Sequence, residues 1–218
     1  GGGSVITPST IVGRVLDITT GGPIAPNATV QVGSSSVQTL ADGSFTLQVP
    51  QGTTNVQIDA GTYGVWQFTI PAADGTTDVG DLWVGPQRVT VTGRVIDAAN
   101  GASVVGATVR FAGRTATTNS SGTFILQQVA YSNSSLAAFW GVKGTVNADK
   151  YFTTNFSAQP NTAVGGVVTV NDILLTRTSS DTPPPPPYNL FGTIAPSSAA
   201  PGTVVTLKLG TTPVRIYN

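Results

Sequence analysis

The chain repeats itself. Gly13-Arg14-Val15 recurs as Gly93-Arg94-Val95, 80 residues on, while Ala28-Thr29-Val30 recurs as Ala107-Thr108-Val109 and Gly43-Ser44-Phe45 as Gly122-Thr123-Phe124, each 79 residues on. Three blocks in near-constant register define a tandem duplication. Within 218 residues such a duplication affords two small cores, since β-sandwich domains commonly run about 100 residues.

Each repeated block reads as strand or turn. Phe45, Leu47 and Val49 alternate with Thr46 and Gln48, and Asp42-Gly43 and Ser121-Gly122 supply tight turns ahead of them. Trp66, Phe68 and Ile70 alternate with Gln67 and Thr69, and a closing strand over 79–84 has its counterpart over 171–176. Each repeat is expected to hold about seven short strands. From hairpin glycine to closing aspartate the first repeat spans 38 residues (Gly43 to Asp81) and the second 50 (Gly122 to Asp172), so the second carries an insertion within 130–166. Its aromatics, Tyr131, Phe139, Trp140, Tyr151 and Phe152, suit either core packing or an exposed platform for stacking sugars.

Composition narrows the chemistry. Charged residues are 9%, with ten basic balancing ten acidic, against roughly 25% in ordinary soluble domains, so no field exists to attract nucleic acid or anionic lipid. No apolar run approaches the roughly 18 residues needed to span a bilayer, and neither a nucleic-acid partner nor a membrane-spanning segment is expected. Solubility then rests on Ser, Thr, Asn and Gln, a surface that suits strands, and helix content should be near zero. The sequence contains no Cys, His, Met or Glu. Nucleophile–histidine catalysis and the usual transition-metal ligands are therefore excluded. A glycosidase pair built from Asp is formally open, but the closest aspartates, Asp78 and Asp81, do not argue for one. The expectation is a non-catalytic protein with no cofactor. Asp74, Asp78 and Asp81 beside Gly75 and Gly80 miss the alternation of a calcium loop, which leaves them as turn formers.

The chain thus divides into an N-terminal extension (1–8), a first β-sandwich repeat (9–86), a second (87–177), a proline-rich linker (178–188) and an incomplete third unit or donor tail (189–218). Pro183 to Pro187 should form a stiff polyproline II spacer. Beyond it, Phe191-Gly192-Thr193-Ile194 echoes the opening of both repeats and Pro201-Gly202-Thr203-Val204-Val205 echoes Pro26-Asn27-Ala28-Thr29-Val30. The echo stops at Asn218 with no Asp-Gly hairpin and no closing strand, and thirty residues do not make a sandwich alone. Phe191, Ile194, Val205, Leu207, Leu209, Val214 and Ile216 are the residues expected to need a covering partner, supplied by β-augmentation from another copy. A tail-to-neighbour contact is heterologous and propagates unless it closes a ring.

The pattern Gly-x-Val-x-Asp at Gly13 to Asp17 and Gly93 to Asp97, followed by a small-residue turn, Ala-x-Val and Asp/Ser-Gly-x-Phe-x-Leu, resembles the carboxypeptidase regulatory-like, or transthyretin-like, sandwich domains. The resemblance covers about 9–85 and 88–177. It implies an all-β fold of tandem Ig-like sandwiches and no particular activity, since such modules serve as spacers, pilin-like units and accessory domains. Related pilin domains close a Lys–Asn isopeptide bond beside an acidic residue. Here Lys143, Lys150 and Lys208 are the only lysines and none lies in a first strand, so that crosslink is not expected.

These lines converge on an extracellular or cell-surface structural subunit of a fibre or pilus-like filament, assembling with itself through the tail. The alternative is a spacer or carbohydrate-binding region of a larger secreted protein, with glycans as partners. Gly1-Gly2-Gly3-Ser4 is expected to be a processed N-terminus. Asn-x-Ser/Thr sequons at Asn27, Asn119, Asn133 and Asn155 are candidate glycosylation sites.

Overall fold

The structure is a computed structural model and describes residues 8–159, 162–178, 205–209 and 212–217. The chain divides into two compact units, Gly1–Pro183 and Pro184–Asn218.

In the first unit, residues of the first repeat form β1 (Pro8–Asp17), β2 (Thr29–Val32), β3 (Ser35–Gln38), β4 (Ser44–Pro50), β5 (Asn55–Asp59), β6 (Val65–Thr69) and β7 (Thr76–Val84). Those of the second form β8 (Gln87–Asp97), β9 (Thr108–Phe111), β10 (Arg114–Thr117), β11 (Thr123–Tyr131), β12 (Gly144–Asn147), β13 (Thr154–Phe156), β14 (Val167–Thr169) and β15 (Ile173–Leu175), with one short helix, α1 (Leu136–Gly141), between β11 and β12. The first set makes two sheets, β4-β1-β7 and β3-β2-β5-β6, and the second repeats the plan as β11-β8 with β14 and β15 along the other side of β8, and β10-β9-β12-β13. The long opening strand pairs antiparallel with the hairpin arm and parallel with the closing strand in both. The protein is all-β, as expected from the sequence, and α1 is the departure from a helix-free chain.

The repeated motifs have a common physical cause. Gly13 pairs with Phe45 and Gly93 with Phe124 across the sheet. A Cβ on Gly13 would stand 2.7 Å from Val79 and 3.1 Å from the Phe45 ring, and one on Gly93 2.3 Å from Val170 and 3.0 Å from Phe124. The glycine is the space into which the aromatic ring folds. Gly43 and Gly122 hold φ of +81° and +72°, each with its Cβ position 2.6 Å from a carbonyl of the opening strand, so conformation and space both demand glycine.

Alternation does the rest. β4 buries Phe45, Leu47 and Val49, and β6 buries Trp66 and Phe68 against Ile58 and Val30. In the second repeat Phe111, Phe124, Leu126, Val146 and Leu175 take the equivalent interior places. β11 bends between Leu126 and Val129, where Gln128 sits at a positive φ of 57°, a bulge that turns its far end toward the insertion.

The second unit is described only over β16 (Val205–Leu209) and β17 (Thr212–Tyr217). These form a two-stranded antiparallel sheet, Val205 opposite Tyr217 and Thr206 opposite Ile216, with the register shifting between Leu207 and Lys208.

Candidate assembly surfaces and the junction between repeats

The residues of the repeated motif hold each sandwich shut. The aspartates of Gly-x-Val-x-Asp close the loop after each opening strand. Asp17 accepts the Thr19 N–H at 2.7 Å and the Tyr63 hydroxyl at 3.3 Å. Asp97, only 1% exposed, accepts the Ala99 N–H at 2.8 Å, the Tyr151 hydroxyl at 2.9 Å and Arg177 Nε at 2.5 Å. Burial pushes the Asp97 carboxyl up, but the Ala99 N–H, Arg177 and Tyr151 outweigh it and hold it below its ordinary value. The motif arginines tie opening strand to closing strand: Arg14 grips Asp81 through Nε at 2.8 Å and Nη2 at 2.9 Å, and Arg94 reaches Asp172 at 2.6 Å. Both pairs are solvent-exposed and contribute little energy.

Of the three clustered aspartates, Asp81 is thus ion-paired, Asp78 caps the Gly80 N–H at 2.8 Å and Asp74 accepts Gln51 at 2.9 Å. They act in turns and pairs, and no group of three potential metal ligands occurs among the described residues. The insertion aromatics mostly pack inward. Tyr131 and Phe139 are fully buried and meet edge-to-face at 4.9 Å, Trp140 and Tyr151 lie half-buried against the core, and only Phe152, at 56%, is exposed. Asn27, Asn119, Asn133 and Asn155 all lie exposed, Asn155 on edge strand β13.

The densest unexpected chemistry lies where the repeats meet. β10 runs beside β6, and β11 beside β7. Strand β6 is a sheet edge, and unpaired edge carbonyls invite foreign strands. Here they are covered: Arg88 Nη2 donates to the Val65 carbonyl at 2.8 Å and Arg114 Nη1 to the Gln67 carbonyl at 2.5 Å. The same guanidiniums stack on the first repeat's aromatics, Arg88 3.9 Å from the Trp66 centroid and Arg114 4.0 Å from that of Phe68. Neither arginine has a carboxylate partner among the described residues, and Arg114 Nε is buried without a hydrogen bond. Burial, reinforced by repulsion from Arg88, pushes the Arg114 guanidinium down to about 10.

Gly113 completes the contact. The Ala112-Gly113 turn between β9 and β10 has positive φ at both residues, 51° and 80°, as a tight two-residue hairpin requires. A Cβ at Gly113 would lie 3.1 Å from the Asp81 carbonyl and from Leu82 Cα, so the turn sits directly on the β7 backbone. At the junction's other side Gly21 stands 3.7 Å, measured from its Cβ position, from Ala138 of α1.

Of the residues expected to need a covering partner, Val205, Leu207 and Leu209 lie on β16 and Val214 and Ile216 on β17, while Phe191 and Ile194 lie outside the described residues. The junction was missed by sequence reasoning. Its signal is the difference between the repeats: strand register sets Arg114 against Ser35 and Arg110 against Gln31.

No family model matches the chain, and no curated protein matches it. Among solved structures, a chain of a type II cohesin–X-dockerin complex from Acetivibrio cellulolyticus is 20% identical at TM-score 0.30, covering 40% of this chain. The chain spans 56% of that protein's length. The shaft pilin SpaA from Lactobacillus rhamnosus GG is 13% identical at TM-score 0.29, covering 81% of this chain and 100% of the pilin chain. The Bacillus anthracis TIE protein is 13% identical at TM-score 0.26, over 78% of this chain and 34% of that one. At these scores no likeness bears on function, and the fold is read from the sheets themselves.

Proposed function

We propose that the protein is a structural subunit of an extracellular fibre or pilus-like filament, its copies joined by β-strand complementation through 189–218. The reading is supported by one observation above others: among the described residues β16 and β17 pair with each other and with no further strand. An isolated two-stranded hairpin is marginal in water, and its two outer edges are open templates for a neighbouring chain. Subunits linked this way are joined head to tail, the heterologous geometry that propagates. The sandwiches supply the rest of what a fibre shaft needs, a pair of domains that meet across a covered edge. No helix among the described residues is long and apolar enough to cross a membrane. The partner is another copy of the chain and the location the cell surface or medium; the repeats follow the carboxypeptidase regulatory-like pattern.

Negative-stain electron microscopy of purified protein tests the proposal. Fibres are expected from the full chain and none from a chain ending at residue 204, with both retaining β-type circular dichroism. Monomeric full-length protein by light scattering at every concentration would refute it.

A further inference from the structure

Beside the junction a groove of about 530 Å³ opens between β7 of the first repeat and the β9–β10 hairpin and post-α1 segment of the second. Arg110, Arg114 and Lys143 line it, facing Asp78, Asp81 and the half-buried Trp83. Three of the chain's ten basic residues thus meet in one cleft of a protein with no net charge and only 9% charged residues. None of the three has an ion pair among the described residues. Across from them Asp81 is already neutralised by the two-point grip of Arg14, and Asp78 spends one oxygen on the Gly80 N–H. The cleft therefore holds three cations against one carboxylate without a cationic partner. A second pocket continues it past Thr69, Thr115 and Gln127 and shares Arg110 and Arg114.

We propose that this groove binds an acidic polysaccharide, holding uronate carboxylates on Arg110, Arg114 and Lys143. A guanidinium presents a planar fork that matches a carboxylate. Arg110 is exposed and has no ion pair among the described residues, so its fork is available. The neighbouring Thr69, Thr115 and Thr145 hydroxyls and the Asp78 carboxylate suit the hydroxyls of a sugar ring, and the Trp83 indole supplies apolar surface of the kind that packs on pyranose faces. A polymer of low charge density fits better than nucleic acid, because the balanced chain lacks the extended positive field that phosphate backbones require. Binding would also supply the counter-charge that Arg114 lacks among the described residues, where its guanidinium is held in the junction by a carbonyl and two rings. The proposal stands apart from assembly, since the groove lies wholly within 69–145.

The test is calorimetric titration of the full chain with hexagalacturonate, with maltohexaose and inorganic phosphate as comparison probes. Saturable binding of hexagalacturonate that weakens with salt is expected, with no binding of the neutral hexamer. The double variant Arg110→Gln/Lys143→Gln, both exposed side chains, should weaken binding by about tenfold or more, while Lys150→Gln, which removes one positive charge outside the groove, should leave it unchanged. The proposal is overturned if hexagalacturonate does not bind, if maltohexaose or phosphate binds as tightly, or if the double variant binds like the parent. Fibre formation is scored separately, so either idea can fail alone.

Discussion

Arg114→Met should be nearly neutral for stability even though it removes the most connected side chain of the junction. The guanidinium gives a charged hydrogen bond to the Gln67 carbonyl at 2.5 Å and lies 4.0 Å from the Phe68 centroid. Such a bond contributes about 1.5 to 3 kcal/mol and a cation–π contact about 0.5 to 2 kcal/mol, so the gain is roughly 3 kcal/mol. Against it stands desolvation. Burial and the nearby Arg88 push the group down to about 10, and from an ordinary value near 12.5 at about 1.4 kcal/mol for each tenfold that is roughly 3 kcal/mol of cost. Gain and cost cancel, and Met retains most of the apolar stem. The expected change in urea denaturation is within about 1 kcal/mol. Arg114→Ala also deletes stem methylenes at about 0.8 kcal/mol each and should cost about 2 kcal/mol. If Met proved as damaging as Ala, or lost more than about 3 kcal/mol, the charge rather than the stem would be carrying the junction and the desolvation argument would be wrong.

Other expectations follow from the same geometry. Gly113→Ala combines a φ of +80° with a Cβ 3.1 Å from the β7 backbone and should lower stability by about 2 kcal/mol, read as an unchanged m-value with a lower urea midpoint. Trp66→Ala removes a side chain only 1% exposed and should cost about 3 to 5 kcal/mol by the same assay. With no His, Cys or Glu in the sequence, thermal stability should be flat from about pH 5 to pH 8. The Asp97 carboxyl is held below its ordinary value, so its contribution is complete above about pH 4 and is lost as pH falls further through the lowered value. Asp97→Asn should shrink that acid-side loss, which a melting series against pH would show.

The fold was legible because its constraints are local and doubled. Alternation at Phe45, Leu47 and Val49, glycines at the two hairpins and the constant offset between repeats each state which face is buried or where the backbone turns. Seven strands per repeat follow from these signals, with the second closing strand split into β14 and β15. The inward packing of Tyr131 and Phe139 was one of two outcomes the aromatics allowed. The junction was not legible, because an arginine in a polar stretch such as Gly113-Arg114-Thr115 reads as surface. That β10 lies against β6 depends on how two sandwiches dock, which no periodicity encodes. Only the contrast between Arg114 and its counterpart Ser35 marks the place.

That contrast also limits how copies can join. The end of the first repeat that meets the second presents Trp66 and Phe68 on β6, and the second answers with Arg88 and Arg114. Were filaments made by stacking this junction again, the far end of the second repeat would need an aromatic where β6 has Trp66, and the near end of the first would need arginines. Register places Thr154 at the first position and Ser35 at the second, and Pro8, five residues before the shared glycine, stands where Arg88 does. The outer ends therefore lack the indole and both arginines, with Phe156 alone standing where β6 has Phe68, and a fibre must be linked by something else, for which the proposal names 189–218. Arg114→Met should accordingly leave fibres intact under the electron microscope while loss of 205–218 abolishes them. Fibres that persist without the tail but vanish with Arg114→Met would reverse the assignment and make the arginine clamp the joint between copies.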